Sequence, residues 1–82
     1  IGYNIKEVIK MTTGERLFNE RKQSKLTLEK ISEIIGISYQ AYRKIEKNIC
    51  YPSIETLKAI AKMYNLSTDY ILCLTDDKRK YW

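Results

Sequence analysis

Gln40, Arg43, Lys44 and Lys47 recur at i, i+3, i+4 and i+7. On a helix that turns about 100° per residue this spacing puts all four side chains on one face. The chemistry on offer is hydrogen bonding and charge. A glutamine amide matches the donor and acceptor edge of adenine, while arginine and lysine suit guanine or phosphate. No acidic residue interrupts the stripe, and Tyr39 lies at its edge. Ala41, Tyr42 and Ile45 fall on the opposite side and are expected to point inward. Any solvated helix also shows a polar stripe, so this one gains meaning only from the elements around it.

Catalytic and metal chemistry is poorly supplied. Histidine is absent, and the two cysteines, Cys50 and Cys73, match no metal spacing. A zinc site of the common Cys/His kinds needs four ligands, so one chain cannot build it. No nucleophile or acid/base arrangement stands out. The expectation is a protein that is not an enzyme and holds no cofactor or metal. No apolar run approaches the roughly 18 residues of a membrane span, and no signal peptide is visible. Both point to a cytoplasmic protein with reduced thiols.

The 82 residues suffice for one domain. Their 44% hydrophobic share can build a core, though a chain this short buries only roughly 60% of its unfolded surface. The net charge of +5 favours a polyanionic partner, but the excess is spread out. Only the stretch 43–47 is locally rich in cations.

Helical signals run through most of the chain. Thr12 and Glu15 have capping-box spacing, which predicts a helix over about 13–24 with Leu17, Phe18 and Arg21 on one flank. Thr27 can cap a second helix carrying Leu28, Ile31, Ile34 and Ile35, and Gly36 ends it. Ser38 can cap a third over about 39–47, with Asn48 as its terminator. Pro52 and Ser53 open a fourth, whose apolar stripe is Ile54, Leu57, Ile60, Ala61 and Tyr64. Ser67 caps a fifth, with Tyr70, Ile71 and Leu74 expected to be buried. Residues 1–12 fit either a short amphipathic helix or a floppy extension. The expected organisation is an extension over 1–12, a domain over 13–77 and a tail over 78–82. Residues Asp76–Lys80 should fray.

Helix, Gly-centred turn, helix over 27–47 is the unit that places its second helix in a DNA major groove. Ser32 is small enough to let the two helices approach. Ile31, Ile35, Ile37 and Ile45 supply the wedge between them.

From about Gly14 to Asp77, roughly three quarters of the chain, the sequence resembles the phage-repressor and Cro-like (Xre) helix-turn-helix family. The matching stretches are GERL, LTLEKISEIIGIS, IEKN, YPSIETLKAIAKMYNLSTDYIL and CLTDD. The resemblance implies an all-α, compact five-helix bundle (lambda-repressor-like) that binds operator DNA as a two-fold dimer without catalysis. It implies that Ser38, Tyr39 and Gln40 start the recognition helix near bases and phosphates. It puts Arg43 and Lys44 at exposed positions that contact bases or backbone, and it makes Arg21 and Glu46 a structural salt bridge. Departures stand beside it. Leu28 replaces a frequent phosphate-binding glutamine. Tyr42 replaces a small branched residue and could tilt the third helix or put its hydroxyl at the rim. Glu20 replaces an apolar residue, and Lys25 and Asn48 replace glycines.

The function expected is a sequence-specific regulator of transcription that binds double-stranded DNA, a repressor of phage or mobile-element type. Its site would be a palindromic operator. Its homodimer would be weak in solution and use Ile49, Tyr51, Leu74, Tyr81 and Trp82. The alternative is an antitoxin or protein-interaction module of the same fold. That module would be expected to lose the cations of the third helix, and this chain keeps them.

Overall fold

The structure, a computed structural model, describes residues 11–78. They form α1 (Thr13–Ser24), α2 (Leu28–Ile35), α3 (Tyr39–Glu46), α4 (Ile54–Tyr64) and α5 (Thr68–Ile71), with no strand among the described residues. Each helix begins where a short polar side chain can take an orphan amide. Thr12, Thr27, Ser38, Ser53 and Ser67 accept from the N–H three residues on. Thr12 and Glu15 complete the capping box in both directions.

The stops are left-handed residues. Gly36 ends α2 at φ 90°. Lys25 and Asn65 end α1 and α4 at φ 59° and 62°, at the cost a side chain pays in that region. Asn48, at φ 61°, follows the last turn of α3. Its side chain also ties that turn to α1. Its Oδ1 accepts from the Gly14 N–H at 2.9 Å, and its Nδ2 donates to Thr12 Oγ1 at 2.8 Å. A Cβ at Gly14 would collide with the Glu46 carbonyl and the Asn48 side chain, so glycine is what lets α1 sit against the end of α3.

The core is Leu17, Ile31, Tyr42, Ile45, Ile60, Ala61, Leu66 and Ile71. Full burial of each large aliphatic chain is worth about 1.5–3 kcal/mol. Helix α3 packs on α1 and α2, α4 on α2 and α5, and α5 returns to α1. Ser32 is buried, as expected of the residue between α2 and α3. Its hydroxyl donates back to the Leu28 carbonyl.

Several expectations need correction. Helix α3 stops at Glu46, with Lys47 as its cap. Helix α5 is a single turn, so Leu74 lies beyond it and is 72% exposed instead of buried. Ile34 and Ile54, placed on apolar stripes, are exposed as well. The bundle is too small to cover the full width of either stripe. The chain after Thr75 is tied down. Arg16 holds the Thr75 carbonyl and the Asp76 carboxylate, and the Ser67 N–H donates to the Lys78 carbonyl at 3.1 Å. Glu20, at its unusual polar position, pairs with Lys78 at 2.9 Å. That contact holds the ammonium of Lys78 charged above its ordinary range. Expectations for the first ten residues, and for Arg79, Lys80, Tyr81 and Trp82, lie outside the described residues.

Candidate nucleic-acid interface

The site begins with what fixes α3. Arg21 Nε donates to Glu46 at 2.8 Å, and its Nη2 reaches the other carboxylate oxygen at 3.2 Å. Nη1 caps the Leu26 carbonyl at 3.0 Å. The two side chains are 12% and 6% exposed. A two-pronged pair at that burial is rigid. Its hydrogen bond to Glu46 outweighs desolvation and raises the pKa of Arg21. On the other side, the turn at Gly36 and the half-buried Ile35 and Ile37 set α3 against α2. Tyr42 and Ile45 anchor it from below.

The outer face is free. Gln40, Arg43, Lys44 and Lys47 are all exposed. None of the four side chains has a hydrogen-bond or ion-pair partner among the described residues. Tyr39 is 38% exposed at the first position of α3. Ser38 is exposed too, but its hydroxyl is engaged in accepting from the Ala41 N–H at 3.1 Å. So all six residues expected at the surface of the third helix are exposed. Arg21 and Glu46 are held in the packed layer and line a hollow together with Arg43 and Lys47.

The sequence puts Phe18 on one flank of α1 and Leu28 in place of a phosphate-binding glutamine, but neither reading brings them beside α3. Phe18 and Leu28 join Arg43 and Lys47 in lining a hollow beside α3. Phe18 is 44% exposed, with the Arg21 guanidinium 5.4 Å and the Lys22 ammonium 5.7 Å from its ring centre. Lys22 and Lys25 line a second recess together with the first residues of α2. The sequence shows Lys22 only as charge and Lys25 as a residue in place of a glycine. Nothing in their spacing announces that the left-handed turn at Lys25 brings them to that helix end.

The family model described as helix-turn-helix matches residues 17–71. The chain belongs to the helix-turn-helix family. Its fold is that of the phage-repressor kind. The P22 c2 repressor, solved in complex with synthetic operator 9T, is 30% identical with a TM-score of 0.74, covering 77% of this chain and 96% of that one. The N-terminal DNA-binding domain of SinR from Bacillus subtilis is 26% identical with a TM-score of 0.68, over 73% of this chain and 88% of that one. Among sequence relatives, the uncharacterised HTH-type transcriptional regulator YobD of Bacillus subtilis (strain 168) is 43% identical over 77% of this chain and 56% of its own length. The cryptic phage CTXphi transcriptional repressor RstR of Vibrio cholerae is 37% identical over 72% of this chain and 53% of its own length. The chain therefore spans about half the length of these relatives. Among the described residues, no helix of this helix-turn-helix domain is long and apolar enough to cross a membrane.

Proposed function

We propose that this chain is a sequence-specific, double-stranded DNA-binding transcriptional regulator, a cytoplasmic repressor of phage or mobile-element type, with α3 in the major groove. The observation that carries the reading is the contrast across α3. Its inner side is pinned by an ion pair and a core tyrosine, while its outer side offers an amide and three cations that have no partner among the described residues. A rigid helix presenting unpaired donors is what base and phosphate recognition requires.

In this reading Gln40 and Lys44 face base edges, with Ser38 and Tyr39 beside them at the start of the helix. Arg43 and Lys47 neutralise phosphates. Leu28 stands where the family resemblance implies a phosphate-binding glutamine, and Lys22 and Lys25, which line a recess with it, supply charge in its place. One recognition helix reads too few bases for tight selection. Two copies would enter successive major grooves about 34 Å apart on a palindromic operator. The exposed Ile49, Tyr51 and Leu74 support a weak homodimer, one that DNA strengthens by holding both copies.

Selection from random duplexes, followed by an anisotropy titration on the winning sequence, tests the reading. With about four phosphates neutralised per subunit, log K should fall against log salt with a slope of roughly −7 for a dimer. No duplex binding at low salt removes the proposal. A strictly 1:1 complex on the preferred site removes the dimer.

A further inference from the structure

The hollow beside α3 brings apolar and cationic side chains together. Phe18 of α1 and Leu28, the first residue of α2, line it with Arg43, Lys47 and the paired Arg21 and Glu46. Phe18 is 44% exposed and lies outside the core. Its ring is nonetheless held in place. The Arg21 guanidinium and the Lys22 ammonium stand 5.4 Å and 5.7 Å from its centre, within the reach of cation–π attraction. Leu28 is half-buried and packs against the core. Glu46, the acid of this lining, has both carboxylate oxygens taken by Arg21. Arg43 and Lys47 have no ion-pair partner among the described residues. What the hollow still offers a ligand is apolar surface and positive charge.

A ligand that suits both carries apolar carbon between anionic groups. The backbone of DNA has that constitution, a deoxyribose between two phosphates. Position favours the backbone over a base. At roughly 100° per residue, Lys44, Gln40, Lys47, Arg43 and Glu46 follow one another in that order around α3. The hollow therefore opens on the Arg43 flank, at the edge of the free face. A helix about 10–12 Å across fills a major groove about 12 Å wide. Its outermost stripe meets base edges, and its flanks meet the sugar–phosphate strands that wall the groove. The hollow faces such a wall.

We propose that Phe18 and Leu28 form an apolar seat for one deoxyribose of the bound DNA, with Arg43 and Lys47 on its flanking phosphates. This rests on the DNA-binding reading above and adds a contact of a different kind. A cation on a phosphate releases counterions and weakens with salt. A ring closed onto a sugar releases none, and its contribution follows the apolar area removed from water. Neither contact reads sequence, because every nucleotide presents the same sugar and phosphate. Leu28 thus exchanges a hydrogen bond to phosphate for an apolar contact with the sugar beside it.

The test compares the full chain with Phe18→Ala, Phe18→Leu and Lys47→Ala on the selected duplex and its single-base-pair variants. Phe18→Ala should bind all of these duplexes about three- to tenfold more weakly while keeping the parent's salt slope. Phe18→Leu should recover most of the loss. Lys47→Ala should instead flatten the slope by about 1 per subunit. Isotope-filtered NMR of the parent complex should show the Phe18 ring protons against deoxyribose protons. Unchanged affinity in Phe18→Ala, or no ring-to-sugar contact, overturns the proposal. So does a ring seated on a thymine methyl with a loss confined to one base pair. Should Phe18→Ala not fold, the NMR contact in the parent complex decides by its presence or absence. If the parent binds no duplex even at low salt, the DNA-binding reading fails and the seat falls with it. If the parent binds with the expected slope but without the sugar contact, the seat alone falls.

Discussion

Arg16 and Arg21 on α1 and Arg43 on α3 carry the same guanidinium in entirely different surroundings. Arg16 is 5% exposed and donates to the Tyr70 and Thr75 carbonyls at 2.6 and 2.7 Å, with its guanidinium 4.1 Å from the Tyr70 ring centre. Arg21 is locked on Glu46. Arg43, with Lys44 and Lys47, is exposed and has no ion-pair partner among the described residues. Arg16 and Arg21 are consumed in holding helices together. The cations of α3 keep their capacity to bind something else. A net charge counts both kinds alike, so the +5 of the chain overstates some regions and understates others.

The sharpest way to break this contrast is to remove one member of each class. Arg21→Ala should cost about 3–5 kcal/mol of stability, because it leaves the Glu46 carboxylate buried without its partner. Denaturant unfolding measures it, and any loss of DNA affinity should follow from unfolding alone. A variant that melts like the parent but no longer binds DNA would move Arg21 to the DNA-facing class. Gln40→Ala should behave in the opposite way. Its stability should stay within about 0.5 kcal/mol, while preference at one base pair relaxes by about 1–3 kcal/mol. Lys47→Ala should weaken all sequences about equally. If these two variants instead lower the melting temperature and leave base preference intact, the free face of α3 is structural.

What could be read in advance was whatever is local. The caps at Thr12, Thr27, Ser38, Ser53 and Ser67 each need only a short side chain three residues before an amide, and the spacing displays them. Gly36 and Asn48 announce their turns for the same reason. The polar face of α3 follows from helical periodicity. Arg16 does not. Its partners lie 54 to 60 residues away, so no pattern in the sequence links them. The second task of Asn48, bridging to Gly14 and Thr12, was hidden likewise. Apolar periodicity overreached at Ile34, Ile54 and Leu74, since it reports a helix face and not how much of that face a small bundle can cover. Tyr42 shows the reverse case. Its size suggested a tilted helix or a hydroxyl at the rim, yet the whole side chain goes under into the core.

Alkaline titration sharpens the difference between the two sides of α3. The phenols of Tyr42 and Tyr64 are raised above the ordinary 10 by burial, Tyr64 to about 12. A group kept neutral by the fold stabilises fully below its unfolded pKa. Here that stability is present up to about pH 10 and declines as pH rises toward 12 and beyond, because the unfolded chain releases the proton first. The limit is about 1.4 kcal/mol per pH unit for each phenol. Urea unfolding at pH 9, 10 and 11 should give falling stability, and Tyr64→Phe should make the fall shallower. An equally steep fall in that variant would place the sensitivity elsewhere.

The smallest expected effect is at Asp76, and it asks which part of the Arg16 cluster matters. The ion pair is short, at 2.5 Å, but its two ends differ: Arg16 is 5% exposed and Asp76 is 86% exposed. Water and salt screen the carboxylate, so its removal should cost no more than about 1 kcal/mol. Arg16 also serves the Tyr70 and Thr75 carbonyls and stacks on a ring. Its removal strands part-buried acceptors and empties packed space, which should cost about 2 kcal/mol or more. Thermal unfolding of Asp76→Ala and Arg16→Ala at low and high salt separates the two contributions. The expected result is a small, salt-dependent loss for the first and a larger, salt-independent loss for the second. Equal losses would mean that the exposed carboxylate is a full partner, and that exposure alone does not tell a structural cation from a free one in this domain.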